Sequence, residues 1–365
     1  MFNILVLGMT KNPGGVESVI MNYYRRINSS QCKFTFLSHT DEVAYQEEIL
    51  SRGDKIVQIT PRGKNIFKFY KILNNLFKEN KFDAVWANIC SLSNVSYIKI
   101  AKKHGVKTRI VHSHNSKNMG SLKSAVLHFI NRQTIHKYAT DFWACGELAG
   151  KYFYKDKILK SDKYKIIKNA IDLNKFKFDE ETRVKYRKDL GVEDKLVFGH
   201  VGRYHFQKNQ EFLINVFNEF QKKHDNAVLL LIGQGEDELK LKQQVKNLNI
   251  EDKVRFLGVR SDVNCLLQSF DLMVFPSLFE GLSVALLETQ ATGLPVFAAD
   301  TISIETKVND NLKFLSLQQS PKEWADFISQ NLDNLQRDEN ALLNLKNKGF
   351  NIEDQVEDFI KLLEK

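Results

Sequence analysis

The chain has 365 residues, 43% hydrophobic and 27% charged, with 18 Gly, 5 Pro and a formal net charge of +9. That composition excludes a small disulfide scaffold, a collagen and a disordered tail, and at roughly 150 residues per domain the length points to two domains. The charge is lopsided: residues 1–175 hold 29 Lys+Arg against 13 Asp+Glu (+16) and the remainder 24 against 31 (−7), so the first half is expected to face something anionic.

Short apolar runs alternate with helical patterns from end to end, the signature of parallel sheets covered by helices on both faces. The opening run 2–7 is too short for a signal core or a membrane span and stops at Gly8, so it reads as a first buried strand. Strands are expected at 4–7, 33–37, 55–59, 84–87, 109–112 and 142–144, then at 196–201, 228–232, 254–257, 272–275, 296–298 and 313–315. Between them, residues 61–81, PRGKNIFKFYKILNNLFKENK, set lysines beside an apolar stripe. Such a helix suits an interfacial position on anionic lipid, the plainer alternative being a stripe packed on the sheet.

A seam lies between residues 170 and 191, with a hinge expected near Asn174. The domains are therefore placed at 1–173 and 174–348, with a closing helical segment, 349–365, returning to the first domain. Cys32, Cys90, Cys145 and Cys265 are far apart and form no CxxC pair, which argues against a zinc knuckle or a secreted framework and for a reducing cytoplasm.

Three loops carry the chemistry. GMTKNPGG at 8–15 is neither a P-loop nor a GxGxxG fingerprint, but Gly14-Gly15 before a helix lets bare backbone approach a phosphate or sugar; a flexible capping turn is the alternative. VGRYHFQKN at 201–209 joins a strand to a helix and offers Arg203 and Lys208 to a diphosphate, where preorganised cations would stabilise a departing charge. In DLMVFPSLFEGLSVALLETQATGLPVFAAD, residues 271–300, a strand ends at Pro276, a loop carries Glu280 and Gly281, and Ser283 caps a helix bearing Glu288. Amides of Gly281, Leu282, Ser283 and Val284 would meet a diphosphate. Two carboxylates near that helix end can each accept from vicinal sugar hydroxyls, although Glu288 alone could be a solvated helical acid. The acidic run Glu236-Asp237-Glu238 imitates a metal-binding triplet and is read as helix capping.

Gly14-Gly15-Val16-Glu17, Ser113-His114-Asn115, Gly202-Arg203 with Lys208, Gly233 and Gly235, Phe256-Leu257-Gly258 and EGLSVALLE together resemble glycosyltransferase family 4 over essentially the whole chain. GGVESVIMNYYR with HSHNS is similar to its capsular and exopolysaccharide branch. The resemblance implies the α/β GT-B fold, two Rossmann-like domains facing across a cleft, and retaining transfer of a sugar, without metal, from a nucleotide-sugar donor. UDP is the expected carrier and GDP the alternative.

Carried onto this chain, the resemblance gives the ribose to Glu288, the donor sugar to Glu280 and the diphosphate to Arg203, Lys208 and, from the opposite domain, Gly15. Backbone near Val259 and Arg260 would read the base, and His114 would lie beside the reacting sugar, with His112 its rival in VHSHN. Gln207 stands where many relatives have an acid, and Ala170 where many have Gly. The expected acceptor is a saccharide, lipid-diphosphate-linked in that branch, at an anionic membrane surface met peripherally from the cytoplasm. Rival readings are an epimerase or hydrolase of the same architecture, a non-catalytic sugar-nucleotide binder and a nucleic-acid binder; no nucleic-acid recognition module is found.

Overall fold

The computed structural model describes residues 1–28, 30–118 and 120–363. Ser29, Met119, and Glu364 and Lys365 at the end of the expected closing segment, lie outside the described residues. The chain forms two compact units: residues 1–170 with the segment from Ile352 onward, and residues 171–351.

The first unit is a seven-stranded sheet of β1 (Phe2–Leu7), β2 (Cys32–Ser38), β3 (Lys55–Gln58), β4 (Ala84–Ile89), β5 (Thr108–Ser113), β6 (Asp141–Ala144) and β7 (Tyr164–Ile166). Its order is 3-2-1-4-5-6-7 and every pairing is parallel. The second holds β8 (Leu196–Val201), β9 (Ala227–Ile232), β10 (Val254–Gly258), β11 (Leu272–Phe275), β12 (Val296–Ala299) and β13 (Leu312–Leu315), ordered 10-9-8-11-12-13 and again wholly parallel. Helices cover both faces, so central strands such as β9, AVLLLI, are buried along their whole length. Each sheet reverses its winding once, between β1 and β4 and between β8 and β11. Ligands of doubly wound sheets bind beyond the strand ends at such points.

The helix expected within 61–81 is Ile66–Glu79, capped by the Asn65 side chain accepting from the Lys68 amide. Its stripe, Phe69, Leu73, Leu76 and Phe77, is buried in the core of the first unit. Most of the expected stripe is therefore core rather than interfacial, while Phe67, 85% exposed, shares the solvated face with the lysines. Among the described residues no helix is long and apolar enough to cross a membrane.

The closing helix, Ile352–Leu363, belongs to the first unit. Phe359 stacks on Tyr23 at 4.2 Å between ring centroids and meets Trp86 edge-on at 4.8 Å, and Arg26 Nε donates to Glu353 at 2.6 Å. Three aromatic contacts on a buried ring, the third with Trp143, predict that Phe359→Ala costs about 3–5 kcal/mol in chemical denaturation. A loss below about 1 kcal/mol would mean this helix does not close that core.

Candidate functional site

In the second unit two loops converge where the winding reverses. After β8 the chain runs through Gly202-Arg203 into a 3-10 turn, Phe206–Lys208, and then the helix Gln210–Gln221. After β11 it runs from Pro276 to Ser283 and the helix Val284–Ala291. The loops are stitched together: the Leu278 amide donates to the Gln207 carbonyl at 2.8 Å, Gln207 Nε2 to the Phe279 carbonyl at 2.8 Å, and Asn209 Nδ2 to the Pro276 carbonyl at 3.2 Å.

Beneath them His200 is fully buried. Its Nδ1 bonds the Val274 carbonyl at 3.0 Å and must carry the hydrogen, so Nε2 accepts from Gln210 Nε2 at 3.3 Å; Gln210 Nε2 also donates to the Arg203 carbonyl at 2.9 Å. Burial pushes the imidazole down to about 4, which keeps it neutral, and the Val274 carbonyl fixes this tautomer.

Above this floor Lys208 Nζ lies 2.6 Å from Glu280 Oε1, both side chains mostly enclosed, and 5.0 Å from the Phe275 ring centroid. Arg203 is placed differently: its exposed guanidinium pairs with Glu236 at 3.0 Å, and Glu236 also meets His205 Nε2 at 3.4 Å. The acidic run read as capping thus supplies Glu236 as a partner for Arg203. The helix begins only at Glu238, and Asp237, in the cap position, makes no side-chain cap bond.

Ser283 occupies the N-cap of Val284–Ala291, but its hydroxyl makes no cap bond. The first-turn amides, with Gly281 and Leu282 just before them, form the end of this helix that favours anions. One turn further, Glu288 is half-buried; burial pushes its carboxyl up to about 7, opposed by the nearby charge of Lys175.

Beside this loop pair the ends of β8, β9 and β10 meet backbone to backbone. Gly233, at φ 139°, donates to the Gly258 carbonyl at 2.9 Å, and a Cβ there would overlap the Gly202 carbonyl. Val259 follows, exposed, and Arg260 Nη2 is held by Asp262 at 2.6 Å, so the Arg260 side chain is already paired.

In the first unit the winding reverses at Gly8 and Asn88. Gly8 has φ 123°, and a Cβ there would press on Asn88 at 2.8 Å. Asn88 Oδ1 is 2.9 Å from His114 Nε2, so this nitrogen carries the hydrogen, and burial pushes the His114 imidazole down to about 3. His112, 4.2 Å away between ring centroids, is wholly enclosed, its Nδ1 accepting from the Trp86 indole at 3.3 Å. The buried Asn88 Nδ2 and Asn115 Nδ2 have no hydrogen-bond partner among the described residues. Gly14 and Gly15 open the helix Gly15–Tyr24, whose buried Glu17 accepts from the Thr10 hydroxyl at 2.5 Å and the Thr10 amide at 3.2 Å, drawing the 8–14 loop back.

The structure thus brings Lys208, Glu280, Gly281, Leu282, Ser283 and Glu288 into one region of the second unit, with Arg203 at its rim and Gly233, Val259 and Arg260 beside it. His200, Gln207 and Gln210, the groups that support it, were not singled out from the sequence for any such role. A histidine inside an apolar strand and a glutamine opening a helix are weak signals until the fold makes them neighbours.

Two doubly wound parallel sheets, the second with cation, carboxylates and a free helix start at its reversal, define a two-domain α/β protein of GT-B type. Residues 182–349 match the sequence profile of the family "Glycosyl transferases group 1". The "Putative glycosyltransferase EpsF" of Bacillus subtilis (strain 168) is 33% identical over 329 residues, 87% of this chain and 85% of its own. The Escherichia coli "UDP-Gal:alpha-D-GlcNAc-diphosphoundecaprenol alpha-1,3-galactosyltransferase" is 31% identical over 159 residues, 42% of this chain and 40% of its own. Among solved structures, Anabaena HepE in complex with UDP and glucose is similar at TM-score 0.82 and 19% identity over all of both chains. The glycosyltransferase WaaG is similar at 0.74 and 15% over 99% of each. At these identities the structural likeness is one of fold. The chain belongs to the group 1 glycosyltransferases.

Proposed function

We propose that this glycosyltransferase moves a sugar from a nucleotide-diphosphate sugar, UDP-linked, to a saccharide acceptor carried on a lipid diphosphate, with retained anomeric configuration, in capsular or exopolysaccharide synthesis. The observation that carries this is the Lys208–Glu280 pair lying before a helix start whose cap hydroxyl is uncommitted, with Glu288 a turn beyond. The names of the EpsF and diphosphoundecaprenol relatives support the pathway and the acceptor.

In the free protein each member of that pair satisfies the other. The donor divides them: its diphosphate takes Lys208 and the amides at Gly281, Leu282 and Ser283, while its sugar hydroxyls donate to Glu280 and its ribose hydroxyls to Glu288. Arg203, swung from Glu236, adds a second positive group, so cationic side chains rather than a metal ion answer the growing charge. Backbone at Gly233, Val259 and Arg260 reads the base. As the bond from the anomeric carbon to the diphosphate oxygen breaks, the acceptor oxygen bonds that carbon on the same face and its proton passes to the departing phosphate. No protein nucleophile is used. In the first unit the neutral His114, preferred over the enclosed His112, serves carbohydrate hydroxyls, and the bare Gly14-Gly15 backbone serves a phosphate or a sugar.

A thermal-shift screen over UDP- and GDP-sugars tests the donor, and the anomeric coupling of the product by NMR tests retention. A UDP-sugar is expected to raise the melting temperature by about 4 °C or more at saturating concentration. Stabilisation by GDP-sugars alone would overturn the carrier, and an inverted product the same-face mechanism.

A further inference from the structure

The helix Leu122–Thr134 is built inside out. Its inward face is polar: His128 Nδ1 accepts from the Leu92 amide at 3.0 Å, Asn131 Nδ2 donates to the Leu92 carbonyl at 2.7 Å, and the His128 ring stacks on Tyr152. Its outward face is apolar: Leu122, Val126, Phe129 and Ile130 are 82%, 51%, 62% and 53% exposed. At one turn per 3.6 residues these four fall in a single stripe about 100° wide. Packing within the first unit does not account for the stripe, because the opposite face makes the contacts, through His128, Asn131 and Arg132, to the loop at Leu92 and the segment 151–154.

The charge around it is equally one-sided. From residue 84 to residue 140 the sequence contains nine Lys or Arg and no Asp or Glu. That span holds β4, the helix Ser96–Lys103, β5 and the inverted helix itself. Lys117 and Lys123 at the start of the inverted helix and Lys137 after its end are exposed.

We infer that this helix docks the chain on an anionic lipid bilayer, Leu122, Val126, Phe129 and Ile130 entering the acyl boundary while the flanking lysines meet lipid phosphates. A second copy of the chain would bring this carboxylate-free surface against its own image, and a nucleic acid would use the charge but leave four aliphatic and aromatic side chains in water. The inference deepens the reading of a lipid-linked acceptor and takes its purpose from it, whereas the docking is read from the first unit alone.

The test is co-sedimentation of the full chain with phosphatidylglycerol vesicles and with pure phosphatidylcholine vesicles at low salt, for the wild type and for V126S/F129S. Preference for phosphatidylglycerol of at least about tenfold is expected, with a similar loss in the variant. The variant should keep its melting temperature and its response to a UDP-sugar. A variant that binds as the wild type does would remove this helix from the docking role and leave the lipid-linked reading standing. Wild-type protein that ignores phosphatidylglycerol vesicles would overturn the docking altogether. A wild-type dimer split by the variant, with vesicle binding unchanged, would make the stripe a self-association surface and overturn the inference. Conversely, intact vesicle binding with transfer only to acceptors lacking a lipid diphosphate would overturn the acceptor reading and spare the docking.

Discussion

Lys208→Met is expected to lower transfer by about 10²–10³ while also destabilising the second unit, because two roles meet in one ammonium group. Methionine keeps the unbranched stem beside Phe275 but leaves the largely enclosed Glu280 carboxylate without the partner now 2.6 Å away. Leaving a buried charge alone costs about 3 kcal/mol, which by itself could mimic a catalytic defect. The double variant Lys208→Met/Glu280→Gln separates the roles. Removing both charges should restore most of the melting temperature, since neither partner is then left unpaired. Transfer should stay at or below the single variant's level, because the diphosphate still lacks its cation and the sugar its acceptor. Chemical denaturation and single-turnover transfer measured on all three proteins decide it; recovery of transfer along with stability would reduce the pair to a structural one.

Glu288→Gln is expected to move stability and binding in opposite directions. Burial pushes this carboxyl up from 4.5 to about 7, so the folded chain favours its protonated form. Its contribution to stability is full below the unfolded value near 4.5 and is lost as pH rises through about 7. An amide pays no ionisation cost, so at pH 8 the variant should be more stable, by up to roughly 3 kcal/mol. Ribose hydroxyls, in contrast, bond best to the ionised carboxylate. Donor affinity in the wild type should therefore rise with pH, by up to about tenfold per unit below 7, and level off above it. The variant should bind about 10–100-fold more weakly at pH 8 and lose that slope. Calorimetric titration of a UDP-sugar at several pH values, beside denaturation curves, checks both halves. A variant that is stabler and binds equally well would take the ribose away from Glu288.

Most of the fold was legible before any coordinates. Twelve of the strands have cores apolar enough to read directly, as in LVFGHV of β8 or LMVF of β11. β7, YKI, was not: it is the outer strand beside β6, with two of its three residues exposed, and an edge strand need not carry the continuous apolar run of a strand buried on both faces. The stretch 61–81 shows the converse. Its lysines and apolar stripe read equally well as a membrane helix or a packed one, and only the burial of Phe69, Leu73, Leu76 and Phe77 separates the two. The helix Leu122–Thr134 drew no attention in sequence because its composition is ordinary; what matters is which of its faces meets the rest of the first unit.

The primary sequence alone determined the alternation of strands and helices, the glycines that let strand ends approach, and a carboxylate pair eight residues apart across a helix start. These are local properties, set by side-chain size, branching and backbone freedom within a few residues. The tertiary structure decided the partners: that Lys208 holds Glu280 while Arg203 holds Glu236, that His200 and Gln210 underpin the loop between them, and that Glu288 loses enough water to titrate near neutrality. Those outcomes depend on groups brought together from distant parts of the chain and on how much solvent is removed around them, quantities that spacing along a chain does not contain.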